Sequence, residues 1–179
     1  MDSCDHLVEF CDSDERLVRG AAEFLSEGFA TGCTCVVALT EAHRQRLHAL
    51  LAESGVQTAQ LAAAYRYISI DAESMLNILA PDGKLDLTEF HRTIGGLVQL
   101  VTTGGKSVRI VGELVSLLAR RGEFSAVIAL EEAWNELSRL YAFNLYCLYL
   151  TAGLARPIES PCRNHICSIH SREVAASLT

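Results

Sequence analysis

Carboxylates follow four of the five strands that the sequence predicts, and Glu113 is the most informative of them. It comes directly after an apolar strand and lies within the otherwise apolar run 111–115. A carboxylate in such a place needs a partner, a metal, a ligand or an open rim. Open parallel sheets bind ligands beyond the carboxyl ends of their strands, which makes Asp12, Glu113 and Tyr149 candidate ligand-binding residues. A helix-capping role for Asp12 and a structural hydrogen bond for Glu113 remain alternatives.

Four side chains that can bind zinc or iron fall within nine residues near the end of the chain: Cys162, His165, Cys167 and His170. On a helix that turns by about 100° per residue, they spread over more than half the circumference, so one ion cannot collect all four. Packing of a half-buried helix is the favoured interpretation. Two alternatives stay open. Two of the four side chains could bind a metal together with ligands from elsewhere, or a cysteine could act as a thiol sensor. We therefore predict neither a bound metal nor a cofactor.

Residues 103–107 (TGGKS) look like the end of a phosphate-binding P-loop. The full pattern requires a glycine five residues before Gly105, and that position is Leu100. The segment also ends a predicted helix and begins a strand, whereas a P-loop follows a strand and begins a helix. No nucleophile elbow, zinc-protease helix or dinucleotide fingerprint is present either. We expect no ATP hydrolysis and no enzyme activity.

Composition and charge argue against a nucleic-acid-binding protein and against a membrane protein. The chain has 179 residues, a net charge of −7 and no concentration of Lys or Arg, so nucleic-acid binding is not expected. The most apolar segment, 141–155, is too short to span a bilayer, so no membrane association is expected. Seven scattered cysteines and the absence of an export signal favour a reducing, cytoplasmic location. One domain is predicted over residues 1–179, with its core at about 6–175.

Strands alternate with helices of ten or more residues along the chain, which predicts an α/β fold. We expect a mostly parallel sheet with helices on both faces, whose inner strands are 107–111 and 143–150 because both are predominantly apolar. Asp12 with Glu15 is predicted to cap the first helix. The predicted strands are 6–11, 33–39, 65–70, 107–111 and 143–150.

Five short motifs in a fixed order carry a family resemblance. They are 6–13 (HLVEFCDS), 109–114 (RIVGEL), 130–137 (LEEAWNEL), 147–149 (CLY) and 166–170 (ICSIH). Together they resemble the MEDS domain, the methanogen/methylotroph DcmR-type sensory domain, over about residues 6–175. The chain has Cys11 and Asp12 where the family has Tyr and Glu, and Leu130 in place of an aromatic residue.

The resemblance implies a RecA/KaiC-like core without a functional P-loop, and a sensory role with a small molecule such as a hydrocarbon derivative as ligand. It also adds Glu131 and Asn135 to the candidate site. These two residues are four apart on one helix and share a face, which we expect to turn towards Glu113. The predicted site is thus a cleft at the carboxyl ends of the strands, lined by Asp12, Glu113, Glu131, Asn135 and Tyr149.

The leading functional hypothesis is a stand-alone cytoplasmic sensory module. It would bind a small molecule and regulate a signalling or transcription-regulator protein, and a homodimer is compatible with this role. The alternatives are a ligand-free scaffold or antagonist and, less favoured, a degenerate nucleotide-binding enzyme. An apolar pocket with a few polar groups would favour the sensory module over the scaffold.

Overall fold

A six-stranded parallel sheet forms the centre of the computed structural model, which describes residues 4–154 and 158–174. The strand order is β3-β2-β4-β5-β1-β6, and every neighbouring pair is parallel. The strands are β1 (His6–Cys11), β2 (Thr34–Leu39), β3 (Tyr67–Asp71), β4 (Val108–Gly112), β5 (Asn144–Leu150) and β6 (Arg172–Glu173). The α/β class and the inner position of β4 and β5 are therefore confirmed.

Helices cover both faces of the sheet. They are α1 (Asp14–Ala30), α2 (Glu41–Glu53), α3 (Thr58–Ala63), α4 (Ala72–Leu79), α5 (Leu87–Phe90), α6 (Gly96–Thr102), α7 (Leu114–Arg120), α8 (Phe124–Leu140) and α9 (Ser160–Ile169). Side chains of α1 and α2 pack on one face, here called the α1 face. Those of α4 to α9 pack on the other, here called the α8 face. Alternate side chains of each strand thus enter two separate cores.

Several elements differ from the sequence-based expectation. Ser13, and not Asp12, caps α1, since its side chain accepts a hydrogen bond from the Arg16 amide. Helix α7 was not predicted because residues 114–119 are all buried, which leaves no polar face to produce a helical period. The short helices α3 and α4 and the two-residue strand β6 were also missed. Strand β6 is exposed and carries no apolar pattern.

A π-helical segment, His91–Gly95, joins α5 to α6. Such segments are rare, and they occur mostly as single turns inserted in α-helices, frequently at functional sites. Ile94 within it is buried against the sheet, on the α8 face. Phe90, Ile94, Val98 and Val101 are all buried and form one continuous helical face, with one wider turn in its middle.

Residues 103–107 lie between α6 and β4, after a helix and before a strand. This order agrees with the interpretation of that segment as a turn and not a P-loop. Among the described residues, no helix combines the length and the apolarity that crossing a membrane requires.

Candidate functional site

An apolar cavity of about 30 Å³ lies between the middle of the sheet and the helices of the α8 face. The sheet contributes residues of β2, β4 and β5 to its wall, and the helical side contributes residues of α6, α7 and α8. A space above about 10–15 Å³ can hold a water molecule, but water also needs two to four polar partners. Lining side chains include Val36, Val98, Ile110, Val115, Trp134 and Cys147.

Small residues in the sheet and the π-helical turn above it account for this space. Ala38 and Gly112 are paired partners on β2 and β4 and fill little volume at the cavity floor. Ile94 of the π-helical segment contributes to the wall on the helical side. A π-helical turn widens the helix locally, so its side chains do not follow the spacing of the turns on either side.

A cluster of four buried side chains lies beside the cavity on the α8 face. We call it the His/Glu/Cys cluster; it comprises His6, Glu131, Cys147 and His170. Glu131 has no exposed surface, and the other three are at most 8% exposed. His6 Nε2 lies 3.2 Å from Glu131 Oε2 and 3.4 Å from Cys147 Sγ. The Cys147 thiol donates to Glu131 Oε2 over 3.3 Å.

Four different elements bring this cluster together. His6 begins β1, Glu131 lies in α8, Cys147 lies in β5, and His170 follows the last residue of α9. Strands β1 and β5 are neighbours, and His6 is paired with Leu145, so Cys147 lies two residues along the adjacent strand on the same face. Helix α8 packs on α7 and α9, which places Glu131 over this part of the sheet.

Two further side chains hold the cluster in place. The Tyr149 hydroxyl donates to Glu131 Oε1 over 2.6 Å. Asn135 Oδ1 lies 2.9 Å from His6 Nδ1, while its amide nitrogen donates to the Ile169 carbonyl over 3.0 Å. Both oxygens of Glu131 therefore have partners, and Asn135 links β1 to the end of α9.

The cluster favours a charged Glu131. Burial alone would raise the pKa of this carboxyl, but the nearby imidazoles of His170 and His6 hold the pKa well below its ordinary value. Burial opposes protonation of His170, yet nearby Glu131 raises the pKa of that imidazole. Burial, reinforced by Glu131, raises the pKa of the Cys147 thiol well above its ordinary value. The carboxylate is the one strong negative charge of the cluster.

Cys147 connects the cluster to the cavity, because it belongs to the cavity wall and also contacts His6 and Glu131. The remaining cavity-lining side chains are hydrocarbon groups, apart from the indole of Trp134. The thiol sulfur is therefore the polarisable atom that a molecule in the cavity would meet. Because His6 and Glu131 contact that sulfur, a change at the sulfur would alter both contacts directly.

Glu113 forms a separate buried site on the α1 face, at the carboxyl ends of β2 and β4. Its Oε1 accepts a hydrogen bond from the Thr40 amide over 2.6 Å and lies 2.7 Å from His43 Nδ1. The other imidazole nitrogen, Nε2, lies 3.2 Å from Asp14 Oδ1. Because both ring nitrogens face carboxylate oxygens, the doubly protonated imidazolium satisfies both contacts.

We expect His43→Gln to destabilise the protein most at low pH. Burial opposes protonation, but the hydrogen bonds and charges of Glu113 and Asp14 raise the pKa of His43. The folded chain therefore holds this proton more tightly than the unfolded chain, whose histidine pKa is about 6.5. That stabilisation is present below the unfolded pKa and is lost as the pH rises through the raised folded pKa.

Urea unfolding at about pH 6 and about pH 9 checks this expectation, since the cost of His43→Gln should be larger at the lower pH. The control is His91→Gln, whose imidazole is 44% exposed and 3.8 Å from its partner Glu136. Its cost should stay within about 0.5 kcal/mol at both pH values. An equal cost of His43→Gln at the two pH values would contradict the assignment.

With the geometry established, comparison with known proteins identifies the family. Residues 5–167 match the family described as MEDS, the MEthanogen/methylotroph, DcmR Sensory domain. The chain belongs to the MEDS family. A search of curated proteins found no match for it. MEDS is a family of sensory domains, and membership supports a sensory role for this chain.

This MEDS domain does not bring the five predicted site residues into one cleft. Glu131, Asn135 and Tyr149 lie together on the α8 face. Glu113 contacts helices of the α1 face, so the predicted meeting of Glu131 and Glu113 is absent. Asp12 is exposed and accepts a hydrogen bond from the Ser13 hydroxyl over 3.1 Å. Whether any of the five binds a ligand stays a prediction.

The cysteines and histidines of α9 point in different directions in the MEDS domain, as helix geometry predicted. The exposed His165 lies 3.8 Å from Glu132, and the half-buried Cys167 donates to Glu173 over 3.4 Å. Cys162 packs against the α8-face core. Of the four, only His170 is buried, and it meets residues from β1, β5 and α8. Sequence reasoning had not linked His6 and Cys147 to the site.

Proposed function

We propose that this MEDS domain is a sensory module whose ligand is a small apolar molecule held in the cavity above β4. The observation that carries the proposal is the apolar cavity itself, roofed by a π-helical turn and walled on one side by the Cys147 thiol. Apolar cavities of this kind stay dry and take up apolar guests. No catalytic role forms part of the proposal.

The size of the cavity limits the ligand. A cavity of roughly 150 Å³ accommodates benzene, whereas this one measures about 30 Å³. It therefore suits a molecule of very few heavy atoms, with modest movement of its walls. A polarisable atom such as chlorine or sulfur would make favourable contact with Cys147 Sγ. Halomethanes and short thioethers combine these properties, in keeping with a hydrocarbon derivative as ligand.

The segment that would report occupancy is the helix that crosses the cavity. Ile94 and Val98 line the cavity, and Leu100 on the same helix is 71% exposed. If a ligand binds better to one position of this helix, binding raises the fraction of molecules in which the helix has that position. The proposed partner that responds to this movement is a signalling or transcription-regulator protein that contacts the outer side of α6.

Thermal unfolding with a panel of small molecules tests ligand binding. Dichloromethane and dimethyl sulfide should raise the melting temperature, because a ligand at about 100 times its Kd stabilises by about 2.7 kcal/mol. Benzene should have no effect on the native chain. Urea, a small polar molecule, serves as the negative control and should not raise the melting temperature.

Two variants at one position sharpen the test, since Val98 lines the cavity and is 1% exposed. Val98→Ile should fill the space and abolish stabilisation by dichloromethane. Val98→Ala should enlarge it and allow benzene to stabilise. Equal stabilisation of all three proteins, or of none, would contradict binding in this cavity, and stabilisation of none would favour the ligand-free scaffold.

A further inference from the structure

The His/Glu/Cys cluster has the donor set and the geometry of a metal site. Its four candidate donor atoms all lie within 4.8 Å of one another. Donors at about 2.0–2.3 Å from a tetrahedral zinc ion lie about 3.3–3.8 Å from each other. Glu131 Oε2 is 3.2 Å from His6 Nε2, 3.3 Å from Cys147 Sγ and 3.4 Å from His170 Nε2.

Hydrogen bonds fix which nitrogen of each imidazole faces the centre. His170 Nδ1 lies 2.6 Å from the Ile166 carbonyl, which can only accept, so Nδ1 carries a proton. His6 Nδ1 faces Asn135 Oδ1, and the Asn135 amide group is oriented by its bond to the Ile169 carbonyl. His6 Nδ1 is therefore also a donor. In the neutral rings, both Nε2 lone pairs point into the cluster.

The two lone pairs differ in their partners, because His6 Nε2 has the Cys147 thiol 3.4 Å away. Within residues 4–154 and 158–174, no group makes a hydrogen bond with the buried His170 Nε2, although Glu131 Oε2 is 3.4 Å away. A proton on His6 neutralises Glu131 but leaves the His170 lone pair facing a carboxylate oxygen. Protonating both imidazoles leaves an uncompensated positive charge among buried groups, which is costly. A divalent cation bound by one carboxylate, one thiolate and two neutral imidazoles leaves no net charge.

The groups around the cluster are those that orient metal ligands. Metal-binding histidines usually donate their second N–H to a carbonyl or carboxylate, and ligating carboxylates are themselves hydrogen-bonded. Asn135 and the Ile166 carbonyl do this for the two imidazoles, and Tyr149 occupies Glu131 Oε1. The Oε2 atom is thereby left to face the centre.

We propose that His6, Glu131, Cys147 and His170 bind one divalent transition-metal ion, with Zn²⁺ as the ion that their two nitrogens, one sulfur and one oxygen suit best. Four protein donors leave no open position, so the ion has a structural role. It fastens the end of α9 to β1, β5 and α8. This replaces the expectation of no metal, which rested on the four side chains of one helix.

Metal analysis of the full-length protein tests the proposal without any variant. The chain is stripped with a chelator and titrated with Co²⁺ under reducing conditions. One Co²⁺ per chain should bind and produce visible d–d bands with a thiolate charge-transfer band in the near ultraviolet, and one equivalent of Zn²⁺ should displace it. Absence of stoichiometric binding, or a spectrum without the thiolate band, would overturn the proposal.

Paired variants locate the ion. Cys147→Ser and His170→Gln should weaken Zn²⁺ binding at least about tenfold, and Cys147→Ser should abolish the thiolate band. The matched controls are Cys167→Ser and His165→Gln, which change the same residue types in the same part of the chain but outside the cluster. Both should bind Zn²⁺ with native affinity. An equal loss in the controls would place the ion elsewhere and overturn the assignment.

Discussion

Replacement of Trp134 by alanine is expected to lower the free energy of unfolding by about 3–5 kcal/mol. Trp134 is 6% exposed and packs edge-on against Phe90 and Phe143, with ring centroids 5.4 and 6.0 Å apart. The indole also lines the apolar cavity, so its removal joins the space it fills to that cavity and leaves a larger void. Both the lost burial and the added cavity destabilise the native state.

Urea denaturation of the purified protein measures this effect. Leu140→Ala is the control, because Leu140 ends the same helix and is 71% exposed. Its cost should stay within about 0.5 kcal/mol. If Trp134→Ala cost no more than the control, Trp134 would not be part of the core that positions the cavity.

Glu131→Gln is expected to cost about 3–5 kcal/mol even in the presence of a chelator, because it removes the charge of a fully buried, paired group. Glu131 accepts from Tyr149 and Cys147 and lies against two imidazoles. The amide of glutamine keeps the shape but turns donors towards some of these groups. The chelator separates this cost from any effect of a bound ion.

The neighbouring residue supplies the control for this variant. Glu132 is on the same helix, and its side chain is 59% exposed. Glu132→Gln should change the free energy of unfolding by no more than about 0.5 kcal/mol. Similar small costs for the two variants would show that the buried carboxylate does not hold the α8 face together.

Much of the fold could be predicted because its strands are encoded locally. Continuous apolar runs mark buried parallel strands, and this signal placed β4 and β5 at the centre of the sheet. It could not reveal β6, whose two exposed residues pair with β1 only through tertiary contact. Nor could it reveal the π-helical turn, since no residue pattern distinguishes that turn from the α-helix around it.

The candidate site could be predicted from the sequence only in part, because it depends on contacts between distant segments. Spacing along one helix was enough to predict that Glu131 and Asn135 share a face. Joining them to His6 and Cys147 required the pairing of β1 with β5, which are separated by more than 130 residues. Helix geometry also explained why the cysteines and histidines of α9 do not converge, but not that His170 meets side chains from three other elements.

Glu113 shows how local reasoning can identify a buried carboxylate and still misplace its partners. The apolar surroundings of residues 111–115 predicted a carboxylate that needs a partner, and the structure supplies one in His43. Which face of the sheet receives the side chain depends on the turn between β4 and α7, and that helix had no sequence signal. The predicted cleft therefore divides into two sites on opposite faces.

The most direct test of the account is a methyl-labelled NMR titration with dichloromethane. Binding in the cavity should shift the methyl signals of Ile94, Val98 and Val115, which line it. Signals of Val37 and Leu47, buried on the α1 face, should stay unchanged and serve as internal controls. Saturable shifts confined to the first group would support ligand sensing in this cavity. Shifts that spread equally over both faces, or none at a saturating millimolar concentration, would contradict it.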